Sequence, residues 1–189
     1  MVLMLSWFGL EKIKFKISDY KELPIALRYP QSRLLETQRD ASVRIDTLET
    51  PMARFAPGLS LKYRGTIPNQ HGLTLDGDRF TGMSPLIPES LGPYLRYLPE
   101  WILFFEQSPP DNVLIMKTIA GQQALASVEA GASSILVQTP YSLLAEKLNN
   151  SSNFPQIKVR SIGSRAMLAE TCTEPVSYTH LTLPTILLV

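Results

Sequence analysis

The sequence has few cysteine and histidine side chains, the residues that form disulfides and most transition-metal sites. It contains one cysteine, Cys172, and two histidines, His71 and His180. A single cysteine excludes an intramolecular disulfide and any zinc site built from several cysteines. Two histidines leave little for a histidine-based site, so we expect no metal.

The chain also has no large excess of positively or negatively charged residues. The chain has 18 Lys and Arg against 17 Asp and Glu, a formal net charge of +1. Binding to a nucleic-acid backbone needs a clustered excess of basic residues, so we expect no nucleic-acid partner. Hydrophobic residues make up 44% of the chain, which is ordinary for a globular protein and argues against general disorder.

No apolar run reaches the roughly 20 residues that a membrane helix needs. The longest candidate is Met1–Leu10, MVLMLSWFGL, which has no basic region before it and no small-residue cleavage site after it. Two interpretations of the terminal segment 1–17 stay open. It is either a buried or frayed end, or the stub of a membrane helix flanked by Lys12, Lys14 and Lys16. We expect a cytoplasmic protein, membrane-tethered in a longer parent under the second interpretation.

Residues 18–82 have the pattern of a small antiparallel β domain. Apolar and polar residues alternate in Val43–Leu48 and again in Leu59–Tyr63, as half-buried strands require. Leu73–Leu75 runs into Asp76-Gly77, and Asp-Gly after an alternating run is a strong hairpin signal.

Residues 83–111 form a proline-dense connector. One stretch, 91–105, has apolar residues at spacings of three and four, and Pro99 interrupts it. We therefore expect a short helix and a turn. The apolar positions of the pattern are Leu95, Leu98, Ile102 and Phe105.

Residues 112–174 change to an alternation of short apolar runs and helical patterns. The expected strands are 112–116, 134–137 and 157–159, and the expected helices are 121–130 and 142–148. Gly131 suits the left-handed position after the first helix. This order is the opening of a doubly wound α/β sheet, left incomplete after three strands.

The tail 175–189 has a different origin in our interpretation. Residues 176–185, VSYTHLTLPT, resemble the translation of a transposon-type sequencing adapter, GTC TCT TAT ACA CAT CTG ACG CTG CCG ACG. We expect this tail to be artefactual and to make no core contacts, with the native C-terminus missing.

Several short sequence stretches, in the same order along the chain, resemble motifs of one protein family. They are SDYKELPIALRYPQSRLLETQRDASVRIDTLETP, MARFAPGLSLKY, IPNQHGLTLDGDRFTGM, YLRYLPEWI, NVLIM and GQQALASVEAGASS. On these, residues 18–168 resemble the spermidine/spermine synthase superfamily, particularly its divergent bacterial members with an upstream membrane region. The resemblance implies a β domain followed by a methyltransferase-like Rossmann domain, which is incomplete here. It also implies aminopropyl transfer from decarboxylated S-adenosylmethionine to a polyamine, and a homo-oligomer through the β domain.

The resemblance assigns a cofactor site to Gly121, Gln123, Gln138 and Thr139. The family's loop is glycine-rich, whereas Lys117–Gln123 keeps only Gly121. Gln123 stands where the divergent members often have Asp, and Thr139 stands where the family has a ribose-binding Glu. Gly163 replaces a third acidic residue. We therefore expect that no cofactor binds, and the segment expected to carry the catalytic base lies beyond the natural part of the chain.

The candidate substrate-binding residues are Gln70, Asp76, Asp78 and Tyr97. Each has a plainer alternative. Gln70 lies in a turn after Pro68, where a surface position is the default. Asp is favoured in hairpins for local hydrogen bonds, and aromatic residues at helical spacing usually pack in the core. A polyamine or a nucleoside is the small-molecule partner that the resemblance implies.

Three functions follow from these patterns. We favour a spermidine synthase-like fragment, without activity in this chain. The alternatives are a non-catalytic binding or structural relative of the synthases, and a small-molecule S-adenosylmethionine-dependent methyltransferase.

Overall fold

A computed structural model of the chain describes residues 17–105 and 109–162, together with the backbone of 186–188. It contains an antiparallel sheet followed by a mainly parallel sheet with two helices. The predicted fold class, a small antiparallel β domain followed by a Rossmann-like α/β unit, is confirmed.

The first sheet has four antiparallel strands in sequential order. Helix α1 (Glu22–Leu27) precedes β1 (Arg33–Arg39), β2 (Arg44–Glu49), β3 (His71–Leu75) and β4 (Asp78–Met83). The predicted hairpin joins β3 to β4, and Asp76 and Gly77 both have positive φ, +54° and +74°. Positive φ at both central residues is the geometry that favours Asp-Gly in tight hairpins.

The strand expected at Leu59–Tyr63 does not form. These residues lie in the long loop between β2 and β3, where Leu59 N–H donates to Ala56 O and Tyr63 N–H donates to Ser60 O. Pro57 and Gly58 are the central residues of the first turn, and Gly58 has a φ of +75°. Local turns therefore satisfy the backbone groups that a strand would have used.

The connector contains three short 3-10 helices instead of one α-helix. They span Pro88–Ser90, Pro93–Tyr97 and Pro99–Phe104, and each begins at a proline. Proline is tolerated at the first helical position but cannot continue a preceding helix. The predicted apolar face is only half correct, because Leu95 and Leu98 are buried whereas Ile102 and Phe105 are each 75% exposed.

The second sheet has the predicted parallel strands. Its elements are β5 (Asn112–Met116), α2 (Gln122–Glu129), β6 (Ser134–Thr139), α3 (Ser142–Asn150) and β7 (Ile157–Ser161). β6 pairs in parallel with β5 on one side and β7 on the other. Gly131, at φ +86°, follows α2 as expected.

A three-residue strand, β8 (Ile186–Leu188), pairs antiparallel with the free edge of β5. We expected the tail to make no core contacts, and the structure adds for these residues a backbone pairing at a sheet edge, which that expectation did not include. The physical reason is that an unpaired edge offers backbone donors and acceptors to any nearby strand-forming segment. The other residues of the tail lie outside the described ranges.

One buried cluster draws on both sheets. It includes Ile45 and Leu73 from the first sheet, Ile115 from the second, and Leu86 and Tyr94 from the connector. The connector therefore packs as part of a shared core. Within the described ranges no helix has the length and apolarity to cross a membrane, and residues 1–16, to which the membrane-helix interpretation applies, lie outside them.

Candidate functional site

The carboxyl ends of β5 and β6 form the edge at which open α/β sheets bind ligands. The structure brings the loop 117–121 and the residues Gln138 and Thr139 to this edge. Lys117 N–H donates to Gln138 O at 2.9 Å, which ties the loop to the end of β6. The four predicted cofactor residues thus belong to one region.

Gly121 has a structural reason for being glycine. It precedes α2 with φ +76°, a left-handed conformation that other residues adopt at a cost. A Cβ at this position would lie 3.1 Å from Leu86 Cδ2 and 3.5 Å from Ser84 O. The connector therefore occupies the space beside Gly121 that an open phosphate or nucleoside cradle would leave free.

Gln123 is buried with both ends of its amide engaged. Thr118 Oγ1 donates to Gln123 Oε1 at 2.8 Å, and Gln123 Nε2 donates to Glu100 Oε1 at 3.3 Å. A ligand would have to displace one of these partners to reach the amide. Gln123 acts here as a link between the loop and the connector.

Glu100 is a polar residue of this edge that the sequence patterns did not reveal. Its Oε2 is buried and has no hydrogen-bond partner in the described part of the chain. The sequence shows only an acid following Pro99, an ordinary position in a first helical turn. Its contact with Gln123, 23 positions later in the chain, arises from packing between the connector and α2.

Gln138 and Thr139 end β6 and point to opposite faces of the sheet, as successive strand residues do. Thr139 is fully buried, and its hydroxyl accepts a long hydrogen bond from Tyr141 N–H at 3.5 Å. Gln138 is also buried, and its Oε1 has no partner among the described residues. Neither residue supplies the charge of a ribose-binding carboxylate.

Gln70 clamps the long loop of the first sheet. Its Oε1 accepts from Phe55 N–H at 2.6 Å, and its Nε2 donates to Phe55 O and to Ser84 Oγ, both at 3.0 Å. A Cβ at Gly82 would overlap the Gln70 amide, so that glycine permits the close approach. These bonds leave Gln70 little capacity for substrate.

Asp76 and Asp78 lie at the far end of β3 from Gln70. Asp76 follows Gln70 by six positions of largely extended chain, about 20 Å at the rise of a strand. Asp76 Oδ1 accepts from Arg44 N–H at 2.9 Å, and Asp78 is exposed. The structure therefore does not bring these candidates together around one amine group.

Tyr97 packs against another aromatic ring. Its ring centroid lies 5.2 Å from that of Tyr63 in the long loop, while 41% of the residue stays exposed. The neighbouring Tyr94 is fully buried, and burial raises the pKa of its phenol. No group of three His, Cys, Asp or Glu side chains in the described ranges is arranged to hold a metal ion.

No protein-family model matches the chain, and no curated protein matches it. Among solved structures, the chain is similar to the crystal structure of spermidine synthase from Thermotoga maritima. The identity is 16% and the TM-score is 0.44, over 73% of this chain and 44% of that one. The chain therefore spans less than half the length of that structure.

Proposed function

We propose that this chain is a spermidine synthase-like domain that does not catalyse aminopropyl transfer and serves as a binding or structural relative of the synthases. Two observations support the assignment to this family. The family-like sequence stretches occur in the right order, and an antiparallel β sheet is followed by a Rossmann-like sheet. The contacts at the sheet edge support the loss of catalysis.

The packing of Leu86 against Gly121 is the observation that carries this proposal. A nucleoside needs the backbone of the loop to be open on the ligand side. Here a connector side chain lies where that opening would be, 3.1 Å from an ideal Cβ on Gly121. The glycine therefore supports a turn and a packing contact.

The side chains at the end of β6 are the second observation that supports the proposed loss of catalysis. A carboxylate accepts both ribose hydroxyls through charge-assisted hydrogen bonds, each contributing about 1.5–3 kcal/mol against about 1 kcal/mol for a neutral bond. Thr139 offers one buried, uncharged hydroxyl. Glu100 is an acid near this edge, but Gln123 already occupies one of its oxygens.

Calorimetric titration tests the proposal. Decarboxylated S-adenosylmethionine and its thioether product should give no more heat than dilution. S-adenosylmethionine belongs in the same series, because the methyltransferase alternative requires it to bind. A dissociation constant in the low micromolar range for any of the three would overturn the proposal.

The variants Thr139→Glu and Thr139→Ser distinguish the two causes proposed for the loss of binding, the packing of Leu86 on Gly121 and the missing carboxylate at the end of β6. If Leu86 closes the loop, neither variant gains affinity, although Thr139→Glu restores the missing charge. Micromolar binding by Thr139→Glu alone would mean that the carboxylate was the only missing element and that the loop is open.

A further inference from the structure

A groove in the first sheet lies away from the edge described above. It has a volume of about 410 Å³ and opens between the two ends of the long loop joining β2 to β3. Grooves of roughly 300–1,000 Å³ accommodate small molecules. The Gln70 clamp on Phe55 holds the loop ends in place, so the groove is built on fixed backbone.

One positive charge in the groove is unbalanced. Glu49 lines the groove, but its carboxylate pairs with Arg33 Nε at 2.5 Å. Arg54 also lines the groove, and in the described part of the chain its guanidinium makes no ion pair or hydrogen bond. A guanidinium presents two parallel N–H donors, which fit a carboxylate.

The groove also contains an unsatisfied imidazole. Nδ1 of His71 is buried and has no partner among the described residues. A buried polar atom without a partner costs free energy that a hydrogen-bonding ligand or water would recover. Arg54 and His71 thus line the same groove.

Half of the remaining lining residues are apolar, and the other half, Gln31, Thr50, Asn69 and Gln70, are polar. Pro51, Ala53, Ile67 and Pro68 contribute to the lining. The apolar side chains form one part of the wall against which the body of a small organic ligand can lie, whereas a fully hydrated inorganic anion would gain nothing from them.

We propose that this groove binds a small monocarboxylate with an apolar body. The carboxylate pairs with Arg54, the apolar part lies against the proline and isoleucine side chains, and His71 supplies a further polar contact. This inference does not depend on the proposed function, because it uses no residue of the parallel sheet.

Titration with sodium benzoate tests the site, with benzamide and benzylamine as neutral and cationic analogues. We expect benzoate to bind in the millimolar range and each analogue to bind at least about tenfold more weakly. Arg54→Gln should weaken benzoate binding by a similar factor. Arg64→Gln removes an exposed charge from the same loop outside the groove lining, so it should change the affinity by less than about twofold.

The histidine ring gives an independent readout. Benzoate should shift the imidazole nitrogen signals of His71, which the His71→Gln variant distinguishes from those of His180. Any of three results would overturn the proposal: no benzoate binding, equal binding of benzoate and benzamide, or unchanged affinity in a folded Arg54→Gln variant. None of these results bears on nucleoside binding, so the two proposals fail separately.

Discussion

Lys147 of α3 donates a hydrogen bond to the Glu36 carboxylate of β1 at 2.7 Å. The two residues are 111 positions apart and join the parallel sheet's helix layer to the first strand of the antiparallel sheet. Ser142 Oγ donates to Asp40 Oδ2 at 3.0 Å in the same region. Two polar contacts thus attach the β1–β2 hairpin to α3.

We expect the stability of the chain to fall as the pH drops from about 4 to about 2. Hydrogen bonds from the Ser42 hydroxyl and the Ser42 and Val43 N–H groups lower the pKa of Asp40 to about 2, against about 3.9 when unfolded. A lowered folded-state pKa stabilises the native state above the unfolded pKa, and this contribution is lost as pH falls through the folded pKa. Urea denaturation between pH 6 and pH 2 measures it.

Asp40→Asn is the variant that isolates this effect. Its stability should depend less on pH in this window, leaving a smaller contribution from Glu36, whose pKa is lowered by Lys147. Asp78→Asn replaces an exposed carboxylate of the other hairpin and should keep the wild-type profile. If the profiles of Asp40→Asn and the wild type coincide, the hydrogen bonds to Asp40 do not stabilise the fold.

Gly121→Ala should lower the free energy of unfolding by about 1–2 kcal/mol, the cost of a left-handed conformation for an L residue. The contact of the new Cβ with Leu86 adds to this effect. Chemical denaturation monitored by circular dichroism gives the difference.

Gly92→Ala is the matched control. Gly92 has φ 174°, an extended conformation open to any residue. Its Cβ would meet only ordinary contacts, the nearest 3.6 Å away in Tyr94. Equal losses in both variants would show that neither the backbone conformation nor Leu86 makes position 121 special.

Local sequence patterns predicted correctly those strands and turns whose structure is determined within one short segment of the chain. Asp76-Gly77 specified its hairpin through backbone conformation, and the apolar runs at Val113 and Ile135 specified adjacent parallel strands. The alternation at Leu59–Tyr63 was misleading, because that segment bonds to its own turns and, through Ser60 N–H, to Tyr97 O.

The candidate site was less accessible to such reasoning. The resemblance assigned Gly121 and Thr139 to one site, and both residues lie at the same edge of the second sheet. It could not show that Leu86 packs on Gly121, or that Glu100 reaches Gln123, because both contacts depend on how the connector crosses the second sheet. The bonds of Gln70 to Phe55 and Ser84 likewise join residues at least 14 positions apart.

Gln70→Ala should reduce the free energy of unfolding by about 1–3 kcal/mol, because the part-buried Phe55 N–H loses its acceptor and Ser84 Oγ loses a donor. Phe55 O keeps its hydrogen bond from Gln122 Nε2. A purely substrate-binding side chain would have little effect on stability. Asn69→Ala, at the exposed neighbouring position, serves as the control. Thermal and urea denaturation measure the stability of both variants. Equal stabilities of Gln70→Ala and Asn69→Ala, within error, would contradict a structural role for Gln70.

Deletion of residues 186–189 should expose the edge of β5. In the intact chain Val113, Leu114 and Ile115 pair with Leu188, Leu187 and Ile186. Removing that ladder returns backbone groups of β5 to water, so hydrogen exchange at 113–115 should accelerate. An open edge also templates association, so the shortened chain should aggregate more readily.

Strand β6 provides an internal reference for this deletion. It stays paired with β7 on its other side, so exchange at 135–137 should change less than exchange at 113–115. A uniform acceleration would indicate global destabilisation. Unchanged exchange at 113–115 would instead mean that the tail does not hold the edge in solution, as its adapter-like sequence suggests. The comparison of the two strands therefore decides whether three residues of this tail act as a functioning edge strand.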